Sequence, residues 1–299
     1  MRYPIIIDTD PGVDDFFCIA IGAAYSDIFD LKAVTTIGGN NATEVTTRNA
    51  LDILHLCKRD DVPVAAGETS YLEEEFGEPG VAFHGLNGLG NVEIPHTDKK
   101  AIDLKACDKI YEVAKECNGE LILVTVGPTT NVAKAILKYP DITKMIKKIV
   151  MMGGSTDKGN ITPYAEANIY HDYKAANILF KSGIPIDMIG LNVTLKSVMP
   201  REVFDVISEG SNPYIREVMQ KLIDFRNGEA MHDAVAIGSM IEDYLTFEDA
   251  FVYIELNGEE RNGQTVCDFN SKTPNTRVAT AVNLDGYYKM MKGMLEVYR

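Results

Sequence analysis

Ile5-Ile6-Ile7-Asp8-Thr9-Asp10-Pro11-Gly12-Val13-Asp14-Asp15 stands near the start of the chain and decides how the rest is read. Three consecutive Ile residues read as a buried strand. Pro11-Gly12 is a turn signal. A helical pattern runs from Asp14 to Ala24, with apolar Phe17, Ile19, Ala20, Ile21 and Ala24. Strand, tight turn and helix together open a βαβ unit. The acidic content is the unusual part. Asp8, Asp10, Asp14 and Asp15 fall within eight positions. Asp8 and Asp10 share one side of an extended chain. Asp14 and Asp15, adjacent on a first helical turn, point about 100° apart. A helix N-terminus favours carboxylates through its free N–H groups and dipole. One or two of these residues would serve as a simple cap. Four repel one another unless a cation lies among them, and hard oxygen ligands at varied angles suit Ca2+ or Mg2+.

The same alternation continues outward. Residues 31–36, 63–66, 121–126, 149–152 and 185–189 read as strands. Residues 43–57, 101–116, 131–138 and 173–181 read as helices between them. A long stretch, 68–100, is rich in Gly and acid and has little periodicity. A helical region is expected from Pro200 to about Met240, late strands over 251–256 and 277–282, and a closing helix over 284–298. No linker, repeat or low-complexity tract divides the chain. The pattern predicts one α/β domain over residues 1–299. Its sheet is doubly wound and mostly parallel, with the active site at the carboxyl edge of the strands.

Composition narrows the function. The chain has 299 residues, 45% of them hydrophobic, enough for one large core. The formal net charge is −15. An acidic surface repels phosphate backbones and anionic lipid, so neither nucleic acid nor a membrane is an expected partner. The basic runs Lys99-Lys100 and Lys144 to Lys148 are short and read as solvated faces. No run approaches the ~18 apolar residues of a membrane helix. Asp8 and Asp10 interrupt the only apolar N-terminal stretch, so no signal-peptide core is read there. Cys18, Cys57, Cys107, Cys117 and Cys267 are odd in number and form no CxxC pair. They read as reduced thiols of a cytoplasmic protein.

Further motifs sit at expected strand ends. Gly38-Gly39-Asn40-Asn41 follows the second strand and by itself is only a turn. His84-Gly85-Leu86-Asn87-Gly88-Leu89-Gly90 places a His in a Gly-rich loop able to close on a ligand. The Val126 carbonyl, at another strand end, can ligate a metal without any side chain, although Gly127-Pro128-Thr129-Thr130 is also an ordinary turn with Thr130 as N-cap. Met152 ends the next strand, with Asn160 beyond it. In an extended chain Glu166 and Asn168 point to one side, and a carboxylate beside a carboxamide suits vicinal hydroxyls. His232-Asp233 opens a buried Ala/Val/Ile helix. It reads as a cap, or as the end of a metal site if that helix abuts the first Asp cluster.

In this order and spacing, from Asp8 to Asp233, the motifs resemble the inosine-uridine preferring nucleoside hydrolase family. The resemblance covers most of the chain. It implies a calcium-dependent hydrolase that splits a ribonucleoside into base and ribose. Asp10, Asp15, Asp233 and the Val126 carbonyl would hold Ca2+. Asp14, Asn160, Glu166 and Asn168, with Asn40 nearby, would bind the ribose, and Met152 would pack under it. Asp10 would be the base that activates water. His232 would protonate the departing base, and His84 would lie on the covering loop. A homodimer or homotetramer is implied, with a small-molecule nucleoside as substrate.

The chemistry is coherent. Cleaving an N-glycosidic bond builds positive charge on ribose, which a carboxylate-rich pocket complements. The sequence also departs from the family. Ala167 replaces a larger aromatic residue, Asn87 an acidic one and Ala234 a proline. Ala167 widens the pocket. The charges in residues 223–231, where the resemblance implies base contacts, either face water or point to a bulky modified base such as queuosine. Two other readings stand beside this one. A Mg2+-dependent phosphatase would use Asp8 as nucleophile and Asp10 as acid/base, but the pocket lacks the cations phosphate needs. A non-catalytic nucleoside-binding protein would not need the full ligand set.

Overall fold

β1 (Tyr3–Thr9) is buried from Ile5 onward because it runs through the middle of a nine-stranded sheet. The computed structural model describes residues 2–77, 80–200, 203 and 213–298. The strand order is β3-β2-β1-β4-β5-β6-β9-β7-β8. The first seven strands of that order are β3 (Val64–Ala66), β2 (Phe29–Thr36), β1, β4 (Leu121–Thr125), β5 (Ile146–Met152), β6 (Ile186–Ile189) and β9 (Thr276–Val282), each parallel to its neighbour. β7 (Leu245–Ile254) and β8 (Thr265–Asp268) add an antiparallel edge. This is the doubly wound, mostly parallel sheet that the sequence predicts.

Alternation along the strands builds two cores. Ile5 and Ile7 of β1, with Ile122 and Val124 of β4, face one layer. Ile6, Leu121 and Leu123 face the other. The first layer holds α1 (Val13–Ala24), α2 (Thr43–Leu56), the short helix over His232–Gly238 and the closing helix over Leu284–Val297. The second holds α4 (Ala106–Cys117), α5 (Thr130–Lys138) and α7 (Tyr173–Phe180), while α3 (Val81–His84) lies in the long irregular stretch. A strand buried on both faces has no polar side, so the Ile run of β1 is continuous rather than alternating.

The strand order reverses between β1 and β4. β2 lies on one side of β1 and the later strands lie on the other. Loops leaving two such strands diverge and open a crevice at their carboxyl ends. Asp10 and Val126 stand at that crevice.

Several boundaries differ from expectation. Residues 101–105 are not helical. Ile102 N–H donates to the Val64 carbonyl and continues the sheet edge. Thr130 is not an N-cap, since it is inside α5 and its hydroxyl donates to Asp172. The region expected to be helical from Pro200 to Met240 is broken. Asn227 and Gly228 take φ of 46° and 87°, which ends one helix at Arg226. Residues 201, 202 and 204–212 of that region lie outside the described residues. β7 starts earlier than residue 251, its beginning masked by the polar Glu248 and Asp249. β8 went unread because only Thr265 in it is buried. All five cysteines are free, although Cys117 and Cys267 are only partly buried.

Candidate active site

Each element ends on the crevice with one or two polar residues. The first turn of α1 carries Asp14 and Asp15. The first turn of α10 (His232–Gly238) carries Asp233. These two helices pack against each other, which sets their first turns side by side. Carboxylate oxygens of Asp14, Asp15 and Asp233 consequently lie within 4.8 Å of one another. All three side chains are buried.

Hydrogen bonds hold this acidic group in place. Asp15 accepts from the Thr9 hydroxyl and, at 2.9 Å, from Gly12 N–H, closing the first turn of α1. Asn40 acts as a bracket. Its backbone N–H donates to Asp10 Oδ2 at 2.8 Å, and its side-chain amide donates to the Asp10 carbonyl and to Asp15 Oδ2, both at 3.0 Å. Asp10 is wedged between two glycines. A Cβ on Gly39 would fall 2.1 Å from Asp10 Oδ2, and one on Gly127 would fall 2.5 Å from Oδ1. Asp10 Oδ1 is buried and has no hydrogen-bond partner among the described residues.

The electrostatics follow from that crowding. Burial, and then the charge of Asp15, pushes the Asp10 carboxyl well above its usual range. Burial and Asp14 push Asp15 to about 7. Burial, Asp14 and Asp15 push Asp233 up as well. Burial also works against ionisation of Asp14, but Arg226, His84 and His232 outweigh it and hold Asp14 below its usual value. Carboxylates this close cannot all stay charged without a counter-charge. The donor set is all oxygen, the oxygens converge, and one of them is orphaned. These are the features a hard divalent cation needs. Asp14, Asp15 and Asp233 have the arrangement to hold a metal; Asp10 is tied to Asp15 through Asn40, and Val126 lines the same cavity as Asp14 and Asp233.

A cavity of about 530 Å3 opens over this group. Every site residue expected from the sequence lines it except Asp10 and Asp15, which are 1% and 0% exposed. Glu166 and Asn168 both reach it, but not from an extended chain. Glu166 is the N-cap of α6 (Ala167–His171). Its carboxylate accepts from the N–H groups of Asn168, Ile169 and Gly154 at 2.9, 3.1 and 2.9 Å. Burial still pushes its pKa to about 7. Asn168 donates to the Val126 carbonyl at 3.0 Å and to the Met152 carbonyl at 3.2 Å, tying the ends of β4 and β5 together. Asn160 Oδ1 accepts from Ala167 N–H at 2.9 Å, which leaves its amide N–H groups free to donate.

The opposite wall carries the imidazoles. His84 Nδ1 accepts from Val13 N–H at 3.2 Å and lies 4.0 Å from Asp14 Oδ1. The loop histidine is therefore seated on the start of α1. His232 Nδ1 pairs with Thr194 Oγ1 at 2.8 Å. Burial lowers the pKa of both rings. The sequence reading missed several residues of the site. Thr194 orients His232 across 38 positions, and no local signal marks that. His171 lines the cavity, and its buried Nδ1 has no hydrogen-bond partner among the described residues. Arg226 and Glu229 also line it, and their charge beside His232-Asp233 was the available signal.

Asp8 turns away from this site. It is 0% exposed and accepts from Thr35 Oγ1 at 2.6 Å and Asn131 Nδ2 at 2.8 Å. Burial pushes it to about 6. It cannot serve as the nucleophile of a phosphatase, because it does not line the cavity and its surroundings are packed.

Comparisons with known proteins agree with the geometry. The family model for inosine-uridine preferring nucleoside hydrolases matches residues 5–289. A non-specific ribonucleoside hydrolase of Shigella flexneri is 33% identical over 303 residues, covering 99% of each chain. A pyrimidine-specific ribonucleoside hydrolase of Photobacterium profundum is 36% identical over 316 residues and covers all of both chains. Among solved structures, a purine-preferring ribonucleoside hydrolase from Gardnerella vaginalis matches with a TM-score of 0.93, at 31% identity and 99% of both chains. These three relatives differ in base preference at similar identity.

Proposed function

The chain belongs to the inosine-uridine preferring nucleoside hydrolase family and is a nucleoside hydrolase; from that premise we propose how its residues divide the work and what it prefers. The carrying observation is the convergence of Asp14, Asp15 and Asp233 within 4.8 Å beneath the cavity, with the Asp10 carboxylate tied to Asp15 through Asn40. Asp10, Asp15, Asp233 and the Val126 carbonyl would hold the cation, which we take to be Ca2+. When bound, it neutralises the carboxylates and makes water more acidic. Asp10 takes the proton from the attacking water. Asp14, Asn160, Glu166 and Asn168 bind the ribose hydroxyls, and Met152 supports the ring. Positive charge develops on ribose as the C1′–N bond breaks, and the surrounding carboxylates stabilise it. His232, held by Thr194, hydrogen-bonds or protonates the departing base. His84 closes the base side.

The finer substrate reading is a ribonucleoside with a bulky or modified base such as queuosine. Two features support it. Ala167 leaves room in the cavity, and the Glu229 carboxylate, 55% exposed and 3.3 Å from Arg226 Nη1, keeps an open side toward an amine at the rim. Asp224 plays no part, because it pairs with Gln220 on the exposed face. A cytoplasmic homodimer or homotetramer completes the proposal. No helix among the described residues is long and apolar enough to cross a membrane.

The test is to incubate the protein with Ca2+ and a panel of ordinary and modified nucleosides and to measure ribose release. Release from several nucleosides, fastest with the modified base, is expected. Ala167→Phe should then raise KM for the bulky base more than for uridine. Turnover of inosine and uridine with none of modified nucleosides would remove the bulky-base reading. Activity that survives chelation of divalent ions would remove calcium.

A further inference from the structure

One polar side chain on the Glu166 wall has no role in the scheme above. His171 closes α6, where residues three and four apart share a face, so its ring lies on the side of Asn168 and Ala167 and lines the cavity with them. A small hairpin from the irregular stretch before α3 backs it. Ser70 pairs with Glu75, and Tyr71 N–H donates to the Glu74 carbonyl at 2.9 Å. The Tyr71 ring, 6% exposed, stacks on His171 with centroids 5.9 Å apart and planes 14° from parallel. Leu72 N–H donates to Asp172 Oδ2 at 3.0 Å, which ties the hairpin to the residue after His171. The imidazole is thus seated from behind by an aromatic ring and held in register by its neighbour in sequence.

The two ring nitrogens are not equivalent. Nδ1 is sealed without a partner, and Nε2 makes no hydrogen bond among the described residues. Burial lowers the pKa of the ring and favours its neutral form. A neutral imidazole carries one N–H, and a sealed N–H without an acceptor costs more than a sealed lone pair. The proton therefore sits on Nε2, and the ring offers the cavity a donor.

The opposite wall comes from α8 (Leu191–Thr194), α9 (Pro213–Arg226) and the first turn of α10, and holds His232 on Thr194. With the base on that wall and the 2′ and 3′ hydroxyls at the acidic group, the C5′ arm, across the sugar ring from C1′, points to α6. Glu166 Oε2 already accepts two backbone N–H groups and Oε1 accepts one, which leaves a lone pair on Oε1. Asn160 spends Oδ1 on Ala167 N–H and keeps its amide N–H groups. A 5′-hydroxyl has one proton to give and two lone pairs to fill. Glu166 takes the proton and Asn160 fills one lone pair. The second needs another donor.

We propose that His171 is a specificity-determining residue whose Nε2–H donates to the 5′ oxygen of the ribose, so that the enzyme selects against 5′-deoxy nucleosides. The assignment rests on the placement of ribose given above. Loss of the oxygen leaves the donors and acceptor of this wall unpaired, which is how a site built around a hydroxyl rejects an analogue without it.

The experiment measures reducing-sugar release by the unaltered enzyme, His171→Phe and His171→Gln. Substrates are inosine and uridine, each as the ribonucleoside, its 5′-deoxy form and its 2′-deoxy form. Phe keeps an aromatic ring on Tyr71 and removes the N–H, whereas Gln keeps a donor and removes the ring. The unaltered enzyme should favour ribonucleosides over their 5′-deoxy forms by about 100-fold or more. For His171→Phe, kcat/KM should fall roughly 30-fold on the ribonucleosides and less than about 3-fold on the 5′-deoxy forms. His171→Gln should lie between, and the same comparison decides the matter with Gln if the Phe variant fails to fold. Equal losses with and without the 5′ oxygen would overturn the proposal, since His171 would then act through the fold. An undiminished rate on ribonucleosides would overturn it too, as would an unaltered enzyme indifferent to the 5′ oxygen. The 2′-deoxy forms separate the two readings. Their poor turnover by the unaltered enzyme supports the ribose placement whatever His171 does, and full turnover would remove that placement and the role of His171 with it.

Discussion

A Cβ atom on Gly12 would lie 2.3 Å from Nδ1 of His84. The two residues meet because Val13 N–H donates to that nitrogen. An accepting Nδ1 puts the ring proton on Nε2, so the seat selects the tautomer. The φ of Gly12 is −110°, which alanine tolerates, so the objection to a larger residue is purely steric. Gly12→Ala should displace His84 and Asn40, whose Nδ2 is 2.7 Å from the added atom. Expected is a fall in kcat/KM of roughly 10-fold or more with a melting point nearly unchanged, since the fold is untouched. Steady-state kinetics beside a thermal melt would check this, and full activity would show that the seat of His84 is dispensable.

Removal of metal should cost both activity and stability. Burial raises the pKa of Asp10, Asp15 and Asp233, and neighbouring carboxylates, Asp14 among them in every case, raise it further; a ligand that binds only the folded state stabilises that state. At about 100 times Kd the gain is ~2.7 kcal/mol. EDTA should lower the melting point and abolish turnover, and added Ca2+ should restore both. A melting point indifferent to chelator and calcium would leave the carboxylate cluster without a metal.

Thr194→Val removes the hydrogen-bond partner that His232 Nδ1 has among the described residues, while keeping the side-chain shape. The ring then loses its fixed orientation. The expected effect is a kcat lowered about 10-fold on natural nucleosides, with KM little changed, because a hydrogen bond to the leaving base is made in the transition state. An unaltered kcat would mean that the burial of His232 holds it without Thr194.

Acid sensitivity away from the crevice should trace to Asp187. This residue of β6 is 5% exposed. Burial disfavours its charge, but Arg277 at 2.7 Å and Lys148 at 2.7 Å more than compensate, and its pKa sits below the usual carboxylate value. A depressed folded pKa contributes stability above the unfolded value near ~3.9, and the contribution is lost as pH falls through the folded value. Asp187→Asn should destabilise by about 1–2 kcal/mol at neutral pH and by less as pH drops below 4 or so. Denaturant melts across that range would measure the difference, and a pH-independent difference would count against the ion pairs.

Much of this was legible in one dimension. The Ile run of β1 announced a strand buried on both faces, and the spacing of strands and helices announced a doubly wound sheet. Hidden were features that local pattern does not encode. Glu166 and Asn168 looked extended, yet three backbone N–H groups captured the Glu166 carboxylate and nucleated a helix instead. Thr130 looked like a cap, yet the carboxylate of Asp172, far along the chain, claimed its hydroxyl. Asp8 and Asp10 looked like a pair, yet Asp8 belongs to Thr35 and Asn131 while Asp10 belongs to Asn40. In each case a long-range hydrogen bond overrode what the neighbours in sequence preferred.

The sequence by itself determined the family and the class of sheet, and its motifs at strand ends pointed to one carboxyl edge of a parallel sheet. Tertiary structure alone decided which carboxylates meet. Packing of α1 against α10 brings Asp14 and Asp15 to Asp233, and the two glycines around Asp10 leave space for its carboxylate and little else. It also decided that the charges ahead of His232 do not act alike. Asp224 faces solvent, and Arg226 turns inward as a buried cation. Helical periodicity sets the direction of each side chain, but only the partner surface determines whether that direction is water or a pocket.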